Sequence, residues 1–496
     1  MSAAIAVAAP HPAAVAAARR AVVAGGNAVD AALAAAAVLT VVYPHQCALG
    51  GDLVALTRRP DGTTTAVLGV GAAAIRTDVA AGIHAQGAGS VTVPGVVSGW
   101  VALAAESRLG LAPALHAAAE VADGGATVSP GLARAVAERS AAVAADPGLR
   151  ALLTDRDGPR RVRAPLRQPA LAATLRTLAA DPDAFYRGPV ADALVAFLTG
   201  QGSALRADDL AGHTAEVTQP LDAQIGDTRW QVAPPPSQGV VLLAVLHGLA
   251  GVSAERGADP FVLLDVVRRA CDARDALLAD PRGGPVDVEA LLAAQVRGIP
   301  APASRAAGDT VAVTAVDDTG RAVSLVQSVY QSFGAGLLDP ATGIVLHNRA
   351  SAFAADPAHP AALAPGRRPP HTLCPVLGER AGTLLAAGCQ GGRAQAQILA
   401  QVLPALLTAT DPAPVLDRPR WVVGARDVGQ PVPTLVAEPG AWPADRDPGL
   451  PVHRTPDRTD LAGHVQVART TPAGLDAASD PRADGVAAVL SPMERS

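Results

Sequence analysis

The sequence predicts an α/β protein, and three stretches carry that expectation. Residues 310–316, Thr-Val-Ala-Val-Thr-Ala-Val, and 322–328, Ala-Val-Ser-Leu-Val-Gln-Ser, are β-branched runs joined by the turn Asp317-Asp-Thr-Gly-Arg321, a hairpin pattern. Residues 28–42 are apolar on nearly every side, which marks a buried helix. Residues 383–388 read as a strand, and Cys389-Gln-Gly-Gly392 turns the chain into a helix that starts at Arg393. In the hairpin, pairing Val316 with Ala322 places Thr310 opposite Ser328.

Bulk properties narrow the function. A chain of 496 residues can bury a large core. No low-complexity linker and no repeat with a period of roughly 20–50 residues divides it, so one domain over 1–496 is expected. All 40 basic residues are arginine, because the chain contains no lysine. This excludes a lysine Schiff base, a lysine general base and a phosphate loop of the Gly-x-x-x-x-Gly-Lys kind. A net charge of −5 without basic clusters argues against a nucleic-acid partner. Cys47, Cys271, Cys374 and Cys389 lack metal-ligand spacing, as do the histidines and aspartates. Neither a metal nor another cofactor is expected, and the thiols should be reduced and buried. The N-terminus lacks a basic region and a full apolar core, so it makes a poor signal peptide. The longest apolar stretch, 31–43, falls short of the roughly 20 residues that span a membrane. A soluble, cytoplasmic protein without a membrane partner is the expectation.

In chain order, His11-Pro12 opens an alanine-rich helix that Gly25-Gly26 ends. Asn27 fits an N-cap, with Asp30 at the third helical position. After 28–42, the paired glycines of Pro44-His-Gln-Cys-Ala-Leu-Gly-Gly-Asp52 suit a tight turn or a close backbone approach. Strands are expected at 53–57, 63–68 and 90–95, the last running into a helix at 96–106. The middle third is helical and polar, with helices at 165–180 and 190–200 and a short capped one within 205–213. A strand at Trp230 leads through Pro234-Pro-Pro-Ser-Gln-Gly239 to a helix, and 261–278 is a further amphipathic helix. Residues 301–309 are the best candidate for an exposed, cleavable loop. Downstream, 344–346 is a strand leading into His347-Asn-Arg-Ala350, Arg367 to Pro375 is an extended loop, and 463–467 is a strand.

Taken in order, these pieces resemble the γ-glutamyltranspeptidase and cephalosporin-acylase family of N-terminal-nucleophile hydrolases over nearly the whole chain. The likeness rests on Gly25-Gly-Asn-Ala-Val-Asp-Ala31, Pro44-His45 through Gly50-Gly-Asp52, Val93-Pro-Gly95, Phe185-Tyr-Arg-Gly188 and Pro236-Ser-Gln-Gly239. It rests above all on Gly308-Asp-Thr310 with Val316-Asp317, on Gly388 to Gly392, and on Gly474 through Asp480-Pro-Arg482. The resemblance implies a four-layer αββα sandwich made as a single precursor. It implies self-cleavage between Asp309 and Thr310 into a large subunit, 1–309, and a small subunit, 310–496. It also implies Thr310 as nucleophile, Ser328 as an assisting hydroxyl, and the N–H groups of Gly391 and Gly392 as oxyanion donors.

Elementary chemistry agrees with those roles. A threonine hydroxyl is a weak nucleophile that needs an adjacent base. A freed α-amine, with an unperturbed pKa of about 7.7–8.0, supplies one on the same residue. Glycine N–H groups at a helix start suit developing negative charge.

Substrate recognition departs from the transpeptidase pattern. Those enzymes carry an arginine for the substrate α-carboxylate where this chain reads Leu68-Gly-Val-Gly-Ala-Ala-Ala74, and here the nearest arginine is Arg76. Their acid for the α-amine is missing from Asn348-Arg-Ala-Ser-Ala-Phe353, and their paired serines are replaced by His371-Thr372. Arg349 offers another carboxylate contact or a structural charge. His371 and Thr372 offer substrate contacts or loop bracing. The expected activity is an autoprocessed amide hydrolase or acyltransferase, cleaving γ-glutamyl or related acyl amides through an acyl-Thr310 intermediate, with water favoured as acceptor. The alternatives are a glutaryl or cephalosporin-type acylase of secondary metabolism, or an inactive scaffold of the same fold.

Overall fold

Alternation along the central hairpin sets the layers. In the strand Asp309–Asp317, Val311, Val313 and Ala315 enter a helix-lined core, while Ala312 and Val316 enter a core shared with a second sheet. The return strand Ala322–Tyr330 divides the same way: Val323, Leu325 and Val329 face the helices, and Ala322 and Val326 face the other sheet. Because both faces are covered, both strands are almost wholly buried. The computed structural model describes residues 3–250, 259–294, 309–425 and 428–492.

The hairpin is the centre of a seven-stranded antiparallel sheet. Its order is Val486–Leu490, Ile5–Ala9, Asp309–Asp317, Ala322–Tyr330, Asp52–Arg58, Thr64–Gly69, Glu216–Thr218. The second sheet has six strands in the order Gly474–Ser479, Val465–Thr471, Thr383–Cys389, Val376–Arg380, Thr228–Val232, Leu221–Ile225. Helices Pro12–Val23, Ala28–Val42, Val96–Ala104 and Ala112–Gly124 cover the first sheet. Helices Gly239–Gly248, Pro260–Leu277 and Gln395–Leu406 cover the second. The fold is therefore the four-layer αββα sandwich.

Small side chains let the sheets approach. A Cβ on Gly388 would lie 2.9 Å from Val326 Cγ2 and 3.1 Å from Ala312 Cβ. Beside it, Ser324 Oγ donates to the Ala387 carbonyl at 2.6 Å and ties the two sheets together. The central helix Ala28–Val42 begins as its sequence predicts. Asn27 Oδ1 accepts from the N–H of Val29 and Asp30, and Asp30 Oδ2 accepts from the Asn27 N–H. Losing such a cap costs about 1 kcal/mol.

Two local expectations need correction, and one strand was missed. Residues 90–95 are not a strand: Val93 donates one bond to the Ala72 carbonyl, and Pro94 has no N–H to extend a ladder. The helix placed at 165–180 begins at Pro169, after the two-residue strand Pro165–Leu166. Ile5–Ala9 is a strand between Asp309–Asp317 and Val486–Leu490, whereas its short, alanine-rich sequence gave no strand signal. The expected cleavable loop, 301–309, lies outside the described residues except for Asp309. Among the described residues, no helix is long and apolar enough to cross a membrane.

Candidate active site

The hairpin register carries Thr310 to Ser328. Pairing runs as expected from Val316↔Ala322 to Val311↔Gln327, then shifts so that Asp309 pairs with Tyr330. The bulge leaves Ser328 and Val329 opposite Thr310 and re-aims the side chains there. Thr310 Oγ1 lies 3.1 Å from Ser328 Oγ, and both residues are buried. Ser328 Oγ donates to the Asp309 carbonyl oxygen at 2.5 Å and accepts from the Tyr330 N–H at 2.7 Å. Tyr330 adopts φ 77°, an unusual value for a non-glycine residue, and one that accompanies this N–H contact. Burial raises the Asp309 carboxyl to about 6, against a weak contact from Gln390 Nε2 at 3.5 Å.

By strand alternation Thr310 shares its face with Ala312, toward the sheet that carries Gly388 to Gly392. Gly391 has φ 141° and Gly392 φ 51°, and the helical turn Gly392–Ala394 leads into Gln395–Leu406. Among the described residues, neither N–H is bonded to a protein acceptor. Gln238, from the proline-stiffened loop, holds this turn: its Nε2 donates to the carbonyls of Gly392 at 3.0 Å and Thr372 at 2.6 Å.

The Thr372 end of that clamp leads to a buried ionic cluster. Asp52 is the cross-strand partner of Ser328, so their side chains share a face. Asp52 Oδ2 accepts from His371 Nε2 at 3.0 Å, and His347 Nδ1 lies 3.2 Å from the same oxygen, off the line of a hydrogen bond. Burial would raise the Asp52 carboxyl, but His347 and His371 outweigh it and hold the group well below the usual carboxylate range. His371 is pushed down to about 4 by burial and then by Arg349, against the pull of Asp52, so its ring is neutral at pH 7. Arg349 is buried, with its guanidinium 3.9 Å from the Tyr330 ring centroid and Nη2 3.4 Å from Thr372 Oγ1. The structure thus gathers Thr310, Ser328 and Asp309 in one contact chain, and Arg349, His371 and Thr372 in a second, with Asp52 between them.

With the geometry in place, comparison with known proteins is decisive for the family. The family model described as Gamma-glutamyltranspeptidase matches residues 14–490. The chain belongs to the gamma-glutamyltranspeptidase family. It is 36% identical to the oxamate amidohydrolase proenzyme of Klebsiella pneumoniae, over 93% of this chain and 94% of that one. It is 32% identical to the glutathione hydrolase-like YwrD proenzyme of Bacillus subtilis, over 93% of each. The cephalosporin acylase from Bacillus halodurans superposes with a TM-score of 0.86 at 28% identity, covering 98% of this chain and 96% of that one. These relatives place this gamma-glutamyltranspeptidase-family chain among amide hydrolases and acylases, several of them made as proenzymes.

Sequence reasoning missed Asp52, Tyr330, His347 and Gln238 as members of the site. Asp52 and Gln238 stood inside motifs that carried the family resemblance, without a role of their own. The paired glycines before Asp52 marked only a close backbone approach: a Cβ on Gly51 would lie 2.4 Å from the Ser328 carbonyl oxygen.

Proposed function

We propose that this protein is an autoprocessed amide hydrolase that works through an acyl ester on Thr310. The observation that carries the reading is the contact chain Thr310 Oγ1, Ser328 Oγ, Asp309 carbonyl, with distances of 3.1 Å and 2.5 Å. In the uncut chain Thr310 Oγ1 attacks the Asp309 carbonyl carbon, and its proton passes toward Ser328. Breaking the Asp309–Thr310 C–N bond leaves an ester on Oγ1 and frees the Thr310 amine, and water then opens the ester to give the Asp309 carboxylate and restore the hydroxyl, separating 1–309 from 310–496. That amine then serves as base when the hydroxyl attacks the carbonyl of a substrate amide. The N–H groups of Gly391 and Gly392 receive the oxyanion. A lost donor of this type typically costs about 3–4 kcal/mol in the barrier.

The substrate is a small acyl amide of the γ-glutamyl or related kind, and water is the acceptor. Relatives named as an oxamate amidohydrolase and as a glutathione hydrolase-like protein support a small amide bearing a carboxylate. The test is a denaturing gel of purified protein with N-terminal sequencing, followed by amide turnover. Two bands, the smaller beginning at Thr310, and release of amine from a small amide are expected. A single full-length band without turnover would refute the reading.

A further inference from the structure

Cutting the chain takes two steps, and Thr310 and Ser328 serve the first. The ester then left on Thr310 Oγ1 must be opened by water, and an attacking water needs a base. The freed Thr310 amine is a poor one: unprotonated, it attacks the ester and rebuilds the peptide bond. Its unperturbed pKa is about 7.7–8.0, so a weaker base that is ionised while the amine is still protonated favours opening over return.

Asp309 carries a carboxyl of that kind, and its surroundings differ from those of other acids in the core. Asp280 and Asp480 are buried and meet arginines, Arg368 at 2.9 Å and Arg482 at 3.0 Å. Among the described residues, the Asp309 carboxyl has one weak contact, Gln390 Nε2 at 3.5 Å. Burial pushes it up to about 6, and Asp460 adds to this, against Ser332, Gln390 and His464. Asp460 is itself held by His464 at 3.1 Å and Arg134 at 3.2 Å. A carboxyl so placed is mostly ionised at pH 7 and is a stronger base than an ordinary carboxylate. Access fits as well. Asp309 is the one residue of the strand Asp309–Asp317 that is not fully buried, while Thr310 and Ser328 are each 1% exposed. Water therefore comes to the ester from the Asp309 side.

We infer that the Asp309 carboxylate is the base that activates the water opening the ester between Asp309 and Thr310. This rests on the self-cleavage reading of Thr310. Only Cα and Cβ separate the carboxyl carbon from the ester carbonyl carbon, so the chain itself holds the base at its target. Ser328 Oγ, which donates to the Asp309 carbonyl oxygen at 2.5 Å in the uncut chain, donates to the oxyanion that forms there. The water oxygen bonds to the carbonyl carbon, and one water proton moves to the Asp309 side chain. The C–Oγ1 bond then breaks, that proton passes from the carboxyl to Oγ1, and the new α-carboxylic acid loses its own proton to solvent. The Asp309 side chain ends as it began, having acted once per chain.

The experiment follows freshly translated full-length chain on denaturing gels, after incubation in native buffer with and without neutral hydroxylamine, a nucleophile that opens esters without a base. Wild type should cut in buffer alone. Asp309→Ala should cut about 10²-fold more slowly in buffer, the low end for a positioned base, and regain most of the lost rate in hydroxylamine. Asp309→Glu, which keeps a carboxylate, should cut faster in buffer than Asp309→Ala. Cutting of Asp309→Ala at the wild-type rate in buffer would overturn the inference. So would an Asp309→Ala chain that stays uncut in hydroxylamine, because the block would then precede the ester, and so would Asp309→Glu no faster than Asp309→Ala. If Asp309→Ala does not fold, Asp309→Ser, polar but not basic, takes its place. Prompt cutting without the carboxylate sinks only this inference, whereas a wild-type chain uncut both with and without hydroxylamine sinks the self-cleavage reading beneath it as well.

Discussion

Ser328 gives its one hydroxyl proton to the carbonyl oxygen of Asp309, 2.5 Å away. A carbonyl oxygen can only accept, so the direction of this bond is fixed. The proton of Thr310 must then point at Ser328, 3.1 Å away. In the proposed self-cleavage, this places the hydroxyl of Ser328 to polarise the carbonyl that Thr310 would attack and to receive the proton that the attack would release.

The first prediction follows from that relay. Ser328→Ala removes the acceptor for the Thr310 proton and the donor to Asp309 together. Self-cleavage should slow by about 10²-fold, the low end for a positioned proton-transfer group. A time course on denaturing gels reads the rate. Thr310→Ala should leave one band indefinitely, and Thr310→Ser should still cut. Normal cleavage in Ser328→Ala would remove Ser328 from the relay.

A second prediction concerns pH. Burial raises the Asp309 carboxyl in the folded, uncut chain to about 6. A raised carboxyl favours the fold while it is protonated. That contribution is complete below the unfolded value of about 3.9 and is lost as pH rises through about 6. In the uncuttable Thr310→Ala background, Asp309→Asn should therefore raise the melting temperature at pH 7.5 and leave it nearly unchanged at pH 4. Scanning calorimetry at the two pH values measures this, and an equal shift at both would show that Asp309 is not the group responsible.

The residues of the proposed site were legible because they sit on regular structure. Thr310 and Ser328 lie on a hairpin whose period and turn fix the register, and only the bulge was unforeseen. Gly391 and Gly392 stand where a strand signal gives way to a helix signal. Asp52 was not legible, because its partners are remote: His371 is 319 positions away, and neither residue has a local pattern that points to the other. The strand Ile5–Ala9 was hidden for a different reason. Both of its faces are buried and four of its five residues are alanine or valine, so it shows no alternation. The length of residues 90–95 was enough for a strand, but Pro94 stops the ladder, a constraint the apolar pattern outweighed.

A third prediction tests the glycine turn. Gly391 has φ 141°, which L side chains rarely adopt, and an added Cβ would collide with Ile398 Cδ1. Gly391→Ala must move the turn that starts the helix Gln395–Leu406, and with it both N–H groups. The cut enzyme should keep its substrate KM within a few-fold and lose about 10²–10³-fold in kcat, the effect of misplacing an oxyanion donor. Steady-state kinetics separates the two. A loss confined to KM would place the turn in substrate binding instead.

The last prediction concerns what holds the two products together once the bond at Asp309 is cut. In the seven-stranded sheet, Ile5–Ala9, Asp52–Arg58, Thr64–Gly69 and Glu216–Thr218 lie before the cut, and Ala322–Tyr330 and Val486–Leu490 lie after it. Ile5–Ala9 is held on both edges by strands of the later segment, and Ala322–Tyr330 pairs with Asp52–Arg58. The second sheet is also shared, through Thr228–Val232 and Val376–Arg380. Separating the products would expose unpaired edges and open the core in both sheets. The two chains should therefore co-elute from a size-exclusion column at the mass of the intact chain and part only in denaturant. Elution of either fragment alone from a native column would contradict the shared sheets.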